Sequence, residues 1–363
     1  MAKTLLTGAT GFIGSQVAPL LLERGDELRV TFRERSNTEG IDALDCERVR
    51  CDLLDRRAVR RALKDVDRVV HTAGVRSIRA ADEERLFGVN VGGTKLLLEE
   101  CLKAGVGRVV YGSSAAALGP APRGGTADET QLFTAGGLGI PYINSVHEAE
   151  AEAMRAAARG LPLVCVNPTG VFGPGDRYVT STAIVRNFLL GRLPAYSDGA
   201  INVVDVRDVA AGMLLADEQG GVGERYILGG RNFTFDRLFA DLSRLSGVER
   251  PVRLPASVAA TVARALEAAP GRSPLSSTEV AAASFWWTYR STKGKRELGW
   301  KARPHEETLE ATVSWHLERE GERIARTRRS QQVQYRAAGA AIGALERAGA
   351  LGERLWRRLP ASR

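Results

Sequence analysis

Short apolar runs alternate with one-sided amphipathic stretches over the first 170 residues. Residues 3–7 are an apolar run that stops at Gly8, the pattern of a buried strand. Residues 14–24 carry Val17, Leu20, Leu21 and Leu22 at helical spacing and end at Gly25, a helix stop. Residues 28–32 alternate as a strand, 49–53 form a weaker one, and 56–64 read as a charged helix. Further strands are predicted at 69–72, 108–111 and 163–166, and helices at about 91–104 and 148–159, the last two closed by Gly105 and Gly160. Short apolar strands separated by one-sided helices specify a parallel sheet covered on both faces. Such crossovers are right-handed almost without exception, which makes a doubly wound α/β fold the expectation.

Beyond residue 170 the regularity loosens. Pro and Gly become frequent, and long helices are predicted at about 257–268 and 305–329. The expected organisation is a main α/β domain at 1–170, a smaller discontinuous substrate lobe at 171–318 with segments returning to the main sheet, and a basic helical extension at 319–363.

Charge sharpens that division. The chain of 363 residues has a net charge of +8, and residues 319–363 carry +7 of it with eleven Arg and four Glu. The body is near neutral, so a domain-wide nucleic-acid surface is not indicated. No stretch of ~18 uncharged apolar residues offers a membrane span. Met1-Ala2-Lys3 leads straight into the first strand, leaving no room for the ~7–15 apolar residues of a signal peptide. Cys46, Cys51, Cys101 and Cys165 form no C-x-x-C pair, and the four histidines have no metal-ligand spacing, so no metal is expected. A cytoplasmic protein is the expectation.

Thr7-Gly8-Ala9-Thr10-Gly11-Phe12-Ile13-Gly14 lies between the first strand and the first helix, with glycines at G-x-x-G-x-x-G spacing. One glycine serves a tight turn, one lets backbone approach a pyrophosphate, and one allows helix-on-strand packing. The helix start then offers N–H groups and a positive dipole end to the anion. Thr10, Phe12 and Ile13 share this dinucleotide loop. The second strand runs into Arg33-Glu34-Arg35-Ser36. An Arg at this strand end accommodates the 2′-phosphate of NADP, whereas an acid would hold the 2′-hydroxyl of NAD. Arg33 favours NADP, and Glu34 keeps NAD open.

Together with the Gly loop, a series of further motifs follows in order: Asp52-Leu53, His71-Thr72-Ala73-Gly74, Asn90-Val91-Gly92-Gly93-Thr94, Gly112-Ser113-Ser114, Pro141-Tyr142, the run from Asn167 to Gly175, and the run from Val204 to Ala210. The chain thereby resembles the extended short-chain dehydrogenase/reductase (NAD-dependent epimerase/dehydratase) superfamily over about residues 3–317. Gly119–Glu129, Gly191–Tyr196 and Gly223–Gly230 are similar to its hopanoid-associated sugar epimerase and dihydroflavonol 4-reductase-like branch. The resemblance implies a Rossmann fold and an NAD(P)-dependent oxidoreductase or epimerase acting on a small hydroxyl or carbonyl substrate. By it, Asp52 would hold the adenine amino group with Leu53 against the ring, and Ala73 and Gly74 would line the cofactor near its ribose. Pro168 and Val171 would border the nicotinamide. Asn90 would sit behind the active site in a structural or proton-relay role, with a helix N-cap as the alternative. A homodimer through the helices at about 91–104 and 145–159 is the family-like expectation.

The family chemistry needs a tyrosine, a serine and a lysine four residues after the tyrosine. Tyr142 and Ser114 match the first two, while Val146 stands where the lysine belongs. A phenol ionises near pH 10 without such help, and positioned acid–base catalysis contributes ~10²–10⁴-fold. His147 lies about 140° round a helix from Tyr142, so it is a poor replacement. Arg177 and Arg186 are candidates from the other lobe. Three readings stay open: a working NADP-linked enzyme with an altered site, a cofactor-binding but impaired redox sensor, and a scaffold recruited through its tail.

The substrate side is less defined. Residues 120–141 read as a lid or a surface loop. Phe172, Tyr178 and Tyr196 are either an apolar wall or core aromatics, and a sugar nucleotide, terpenoid or flavonoid-like substrate fits the composition. In the tail, Ile342, Leu345, Leu355, Trp356 and Leu359 share one helical face against Arg347, Arg354, Arg357 and Arg358. Peripheral membrane contact, docking on a partner and docking on the body are all consistent with that pattern.

Overall fold

The computed structural model describes residues 1–77, 79–193, 195–255 and 277–326. The helix expected at about 257–268 and the amphipathic face expected at 342–359 lie outside the described residues.

In chain order the strands of the first half are β1 (Lys3–Thr7), β2 (Glu27–Phe32), β3 (Glu47–Arg50), β4 (Arg68–His71), β5 (Arg108–Gly112) and β6 (Leu163–Pro168). Between them run α1 (Gly14–Glu23), α2 (Arg56–Ala62), α3 (Glu83–Leu86), α4 (Thr94–Ala104) and α5 (Pro141–Ala158). The second half contains β7 (Gly170–Phe172), α6 (Ala183–Leu189), β8 (Ala195–Ser197), β9 (Ala200–Asp205), α7 (Val206–Gln219), β10 (Arg225–Leu228), β11 (Arg231–Thr234), α8 (Phe235–Ser246) and β12 (Val252–Leu254). It continues with α9 (Ser277–Ala283), β13 (Trp286–Trp287), α10 (Thr292–Glu297) and α11 (305–326).

The main sheet has seven parallel strands in the order β10-β6-β5-β4-β1-β2-β3. This is the doubly wound fold expected from the alternating pattern. The strand order reverses between β1 and β4, and a crevice opens at the carboxyl ends of such strands. The period of two along β1 sends Leu6 to the layer under α1 and α7 and Leu5 to the layer under α2, α4 and α5. Both leucines are fully buried, each worth roughly 1.5–3 kcal/mol relative to exposure. A smaller sheet is built around β9, which pairs with β11 antiparallel and with β7 and β13 in parallel. The chain returns from it to the main sheet through α7 and β10.

Two helices extend beyond their sequence patterns. The helix expected from about 91 is helical from Glu83, through α3 and a π-helical stretch at Phe87–Gly93. The helix expected from 148 begins at Pro141. Proline at the first helical position is preorganised for that site, but Tyr142-Ile143-Asn144-Ser145-Val146 is rich in aromatic, β-branched and short polar residues that score poorly as helix. Packing against the π-helical stretch and β6 overrides that preference. Among the described residues, no helix is long and apolar enough to cross a membrane.

Candidate active site

The three loop glycines do different work. Gly8 has φ +77°, and a Cβ there would lie 2.6 Å from the Ala73 nitrogen, so it serves the turn and the packing on β4's exit. A Cβ on Gly14 would collide with the Gly8 carbonyl, which fixes how closely α1 approaches β1. Gly11 meets only the Gly8 carbonyl, at 3.1 Å, and its other side is open. No side chain caps the start of α1. Its first N–H groups and the positive end of its dipole therefore face the crevice unmet by side chains, an arrangement suited to a pyrophosphate.

A cleft of about 510 Å³ starts at this loop. Gly8, Thr10, Gly11, Phe12, Ile13, Gly14, Arg33, Asp52, Leu53, Ala73, Gly74 and Tyr142 all line it. At one end the Arg33 N–H donates to Ser36 Oγ at 3.0 Å, and both residues line the cleft. Glu34 turns away to an ion pair with Arg50 at 2.7 Å. Asp52 folds its own loop, accepting from the Leu54 N–H at 3.0 Å.

At the other end, Tyr142 stands in the first turn of α5. Asn90 sits within the π-helical stretch and caps nothing. Its Oδ1 accepts from the Val75 N–H at 2.7 Å, and its Nδ2 donates to the Val75 carbonyl at 2.9 Å and to Ser145 Oγ at 3.1 Å. Ser145 in turn donates to the Tyr142 carbonyl at 2.9 Å. Asn90 thus ties the 73–77 loop to the turn that carries the phenol. Behind them, His71 is fully buried between Thr7 Oγ1 at 2.6 Å and Thr94 Oγ1 at 3.0 Å. Burial pushes its pKa down to about 4, so it is a neutral structural bridge at pH 7.

Val146 also lines the cleft, one turn along α5 from Tyr142. His147 faces elsewhere, with Nδ1 at 3.0 Å from the Ala117 carbonyl and its ring stacked on Phe133 at 3.8 Å. Arg186 is held by Glu320 at 2.5 and 2.6 Å, and Arg177 by Glu39 at 3.4 Å and the Trp315 ring. Neither lines the cleft. The cation over the Tyr142 ring is Arg76, whose guanidinium carbon lies 5.8 Å from the ring centre and which donates to the Thr180 carbonyl.

Thr180 belongs to a strap, residues 175–182, that crosses from the second lobe. Buried Asp176 holds it by accepting from the N–H groups of Thr180, Ser181 and Thr182 at 3.1, 2.9 and 2.9 Å. Within the strap Val179 has φ +49°, an unfavourable conformation for a β-branched residue. Tyr178 lines the cleft and accepts from the Asn37 N–H at 2.9 Å. The other two aromatics go elsewhere: Phe172 is core, and Tyr196 donates to Asp236 at 2.7 Å.

Comparison with known proteins gives this architecture a family. A model of the NAD dependent epimerase/dehydratase family matches residues 4–229. The chain belongs to that family. It is 39% identical over 249 residues to sterol demethylase protein B of Methylococcus capsulatus, covering 68% of this chain and 76% of that one. It is 35% identical over 323 residues to a Synechocystis protein named as a candidate dihydroflavonol 4-reductase, covering 85% and 93%. Among solved structures, gox2253 superposes with a TM-score of 0.78 and 35% identity, covering 88% of this chain and 99% of that chain.

As a member of the epimerase/dehydratase family, the chain is an NAD(P)-linked enzyme of the oxidoreductase or epimerase kind. Three residues to which the resemblance gave a catalytic or nicotinamide-bordering role lie outside the cleft lining. Ser114 caps a short 3₁₀ turn by accepting from the Ala116 N–H at 3.2 Å. Pro168 ends buried β6, and Val171 belongs to the core under α7. Ser113 lines the cleft instead, but its hydroxyl donates to Glu150 at 2.6 Å. Arg76, Arg85, Ser36 and, in the strap, Thr180 and Ser181 were not legible as site residues, whereas Tyr178 was one of the candidate aromatics. The position of Arg76 just after Ala73-Gly74, at the exit of β4, is the signal that could have found it.

Proposed function

We propose that this enzyme is an NADP-linked oxidoreductase acting on a small hydroxyl- or carbonyl-bearing substrate of largely apolar, terpenoid, steroid or flavonoid-like skeleton. The observation that carries this reading is a single continuous cleft, with the glycine loop and Arg33 at one end and Tyr142 at the other. Arg33 and Ser36 line the end where a 2′-phosphate would lie, whereas Glu34 is engaged by Arg50. That supports NADP over NAD. The names of the two relatives, a sterol demethylase protein and a candidate dihydroflavonol 4-reductase, support a polycyclic substrate over a nucleotide sugar.

In this reading Gly8, Thr10, Gly11, Phe12, Ile13 and Gly14 hold the pyrophosphate, and Asp52 and Leu53 take the adenine. Ala73 and Gly74 border the ribose, with Pro168 and Val171 behind the nicotinamide. The bound cofactor supplies or accepts the hydride. The Tyr142 phenol holds or moves the proton at the substrate oxygen. Val146 supplies no cation for this step, so proton transfer is the step that limits turnover.

Calorimetric titration with NADPH and NADH tests the reading, using the wild type and Arg33→Ala. NADPH should bind at least about tenfold tighter, and the substitution should erase most of that preference. That ratio corresponds to about 1.4 kcal/mol, within reach of one charged phosphate contact. Equal affinities would overturn the NADP assignment. Binding of neither would leave the Gly loop a structural turn and favour a scaffold role.

A further inference from the structure

We propose that residues 175–182 form a bar across the dinucleotide crevice, and that the contact between Tyr178 and Asn37 is its latch, which opens each time the cofactor enters or leaves. This rests on the proposed binding of a dinucleotide along the glycine loop and concerns how that cofactor is exchanged.

The topology places the bar. In the main sheet β1 lies between β4 and β2. The glycine loop leaves the end of β1, residues 33–40 leave the end of β2, and residues 72–77 leave the end of β4. The strap makes a tie to each flanking segment. On the β2 side, Tyr178 Oη accepts from the Asn37 N–H at 2.9 Å. On the β4 side, the Thr180 carbonyl accepts from the Arg76 guanidinium. Strands on either side of a third lie about 10 Å apart, so ties made by residues 178 and 180 carry the strap over the strand between them. That strand is β1, whose loop is the one suited to a pyrophosphate. Tyr178, Thr180 and Ser181 line the same cleft as Gly8, Gly11 and Arg33. The floor of the crevice is thus backbone of the main sheet, and its cover comes from the second lobe.

The bar itself is stiff. Besides the three N–H groups, buried Asp176 accepts from the hydroxyls of Thr180 and Thr182 at 3.3 and 2.9 Å. The Thr182 hydroxyl also meets His316 Nε2 on α11 at 3.0 Å. Bonds to a buried carboxylate are the costly ones to break. The ties across the crevice are not of that kind. Tyr178 is 46% exposed, and its hydroxyl holds a single backbone N–H. Behind it, outside the cleft lining, Arg177 adds an ion pair with Glu39 at 3.4 Å. On the other side, Arg76 springs from a segment that Asn90 grips at both polar groups of Val75, and its guanidinium lies over the Tyr142 ring. Opening therefore costs least at Asn37, and the adenosine end of the cleft is the way in and out.

Stopped-flow fluorescence of NADPH tests the latch, with entry followed on mixing and release followed in a chase with excess NADP. The full chain is used as wild type, Tyr178→Phe and Tyr178→Ala, with thermal denaturation to show that the variants are folded. Tyr178→Phe keeps the ring and loses the hydroxyl. It should speed entry and release alike by about three- to tenfold, the ratio one net hydrogen bond supports, while Kd stays within about twofold. A contact that bars both directions sets one shared barrier, so its loss leaves the ratio of the two rates unchanged. Tyr178→Ala also clears the ring from the mouth and should be at least as fast as Tyr178→Phe. Unchanged rates in both variants would overturn the latch. So would faster release with unchanged entry, which would make Tyr178 an ordinary cofactor contact. Uptake of neither NADPH nor NADH by the wild type would strike the functional reading itself, and the latch with it.

Discussion

The two ends of the cleft are built by different means. The glycine-loop end is made of backbone. Gly8, Gly11 and Gly14 act through what they lack, and the start of α1 contributes N–H groups that belong to no particular side chain. The Tyr142 end is made of side chains held by other side chains. Asn90 holds Val75 and Ser145, Asp176 holds the strap, and the strap's Thr180 holds Arg76. A backbone site is contiguous in sequence, because the turn, the strand and the helix that form it are neighbours along the chain. A side-chain site is assembled from 73–77, 85–90, 142–146 and 175–182, which only the fold brings together. The first kind binds a common cofactor, and the second is where substrate choice resides.

The contrast can be broken most strongly at the phenol. Tyr142→Phe should lower turnover by ~10²–10⁴-fold while NADPH binds as in the wild type. Steady-state kinetics and calorimetry on one preparation would separate the ends, and a parallel loss of cofactor affinity would show that they are one unit. A pH scan probes the wall they share. His71 is neutral in the fold, with its pKa lowered to about 4 by burial, against ~6.5 when unfolded. Its contribution is fully present above pH 6.5 and is lost as pH falls from there toward 4, because only the unfolded chain takes up the proton. The full span is worth roughly 3 kcal/mol. Urea midpoints at pH 7 and pH 4.5 should differ more for the wild type than for His71→Gln.

Val146→Lys sharpens the comparison from the other direction. It should raise turnover by about tenfold or more, since it places a cation one helical turn from the phenol. An unchanged rate would show that Val146 does not limit the chemistry. The smallest effect is expected in the strap. Val179→Gly should stabilise the protein by about 1 kcal/mol, as glycine accepts φ +49° without the strain a β-branched residue bears there. Thermal denaturation would measure it. A destabilised variant would mean that packing of the Val179 side chain outweighs its backbone strain.

How much of this was legible in the sequence follows the same division. The doubly wound sheet was readable from alternation of apolar strands and one-sided helices, and the loop at 7–14 from glycine spacing directly after a strand. The start of α5 was not, because Pro141 gives one signal against five residues of poor helix propensity, and packing decided the matter. The π-helical stretch around Asn90 was equally hidden, since its residues follow no helical period. The apolar wall suggested by Phe172, Tyr178 and Tyr196 dissolves into one core residue, one cleft residue and one surface pair. Residue type alone cannot assign aromatics in a region without periodicity.

The sequence by itself determined the sheet, the phosphate loop, Arg33 at the strand end, and the absence of a lysine after Tyr142. All are local features, where neighbouring residues dictate one another's conformation or where identity alone decides the chemistry. The tertiary structure alone decided that Glu34 leaves the cleft for Arg50, that Arg177 and Arg186 are taken by Glu39 and Glu320, and that Arg76 comes to rest over the phenol. A charged side chain's role depends on which opposite charge reaches it first, and those partners lie as many as 138 residues away in the chain.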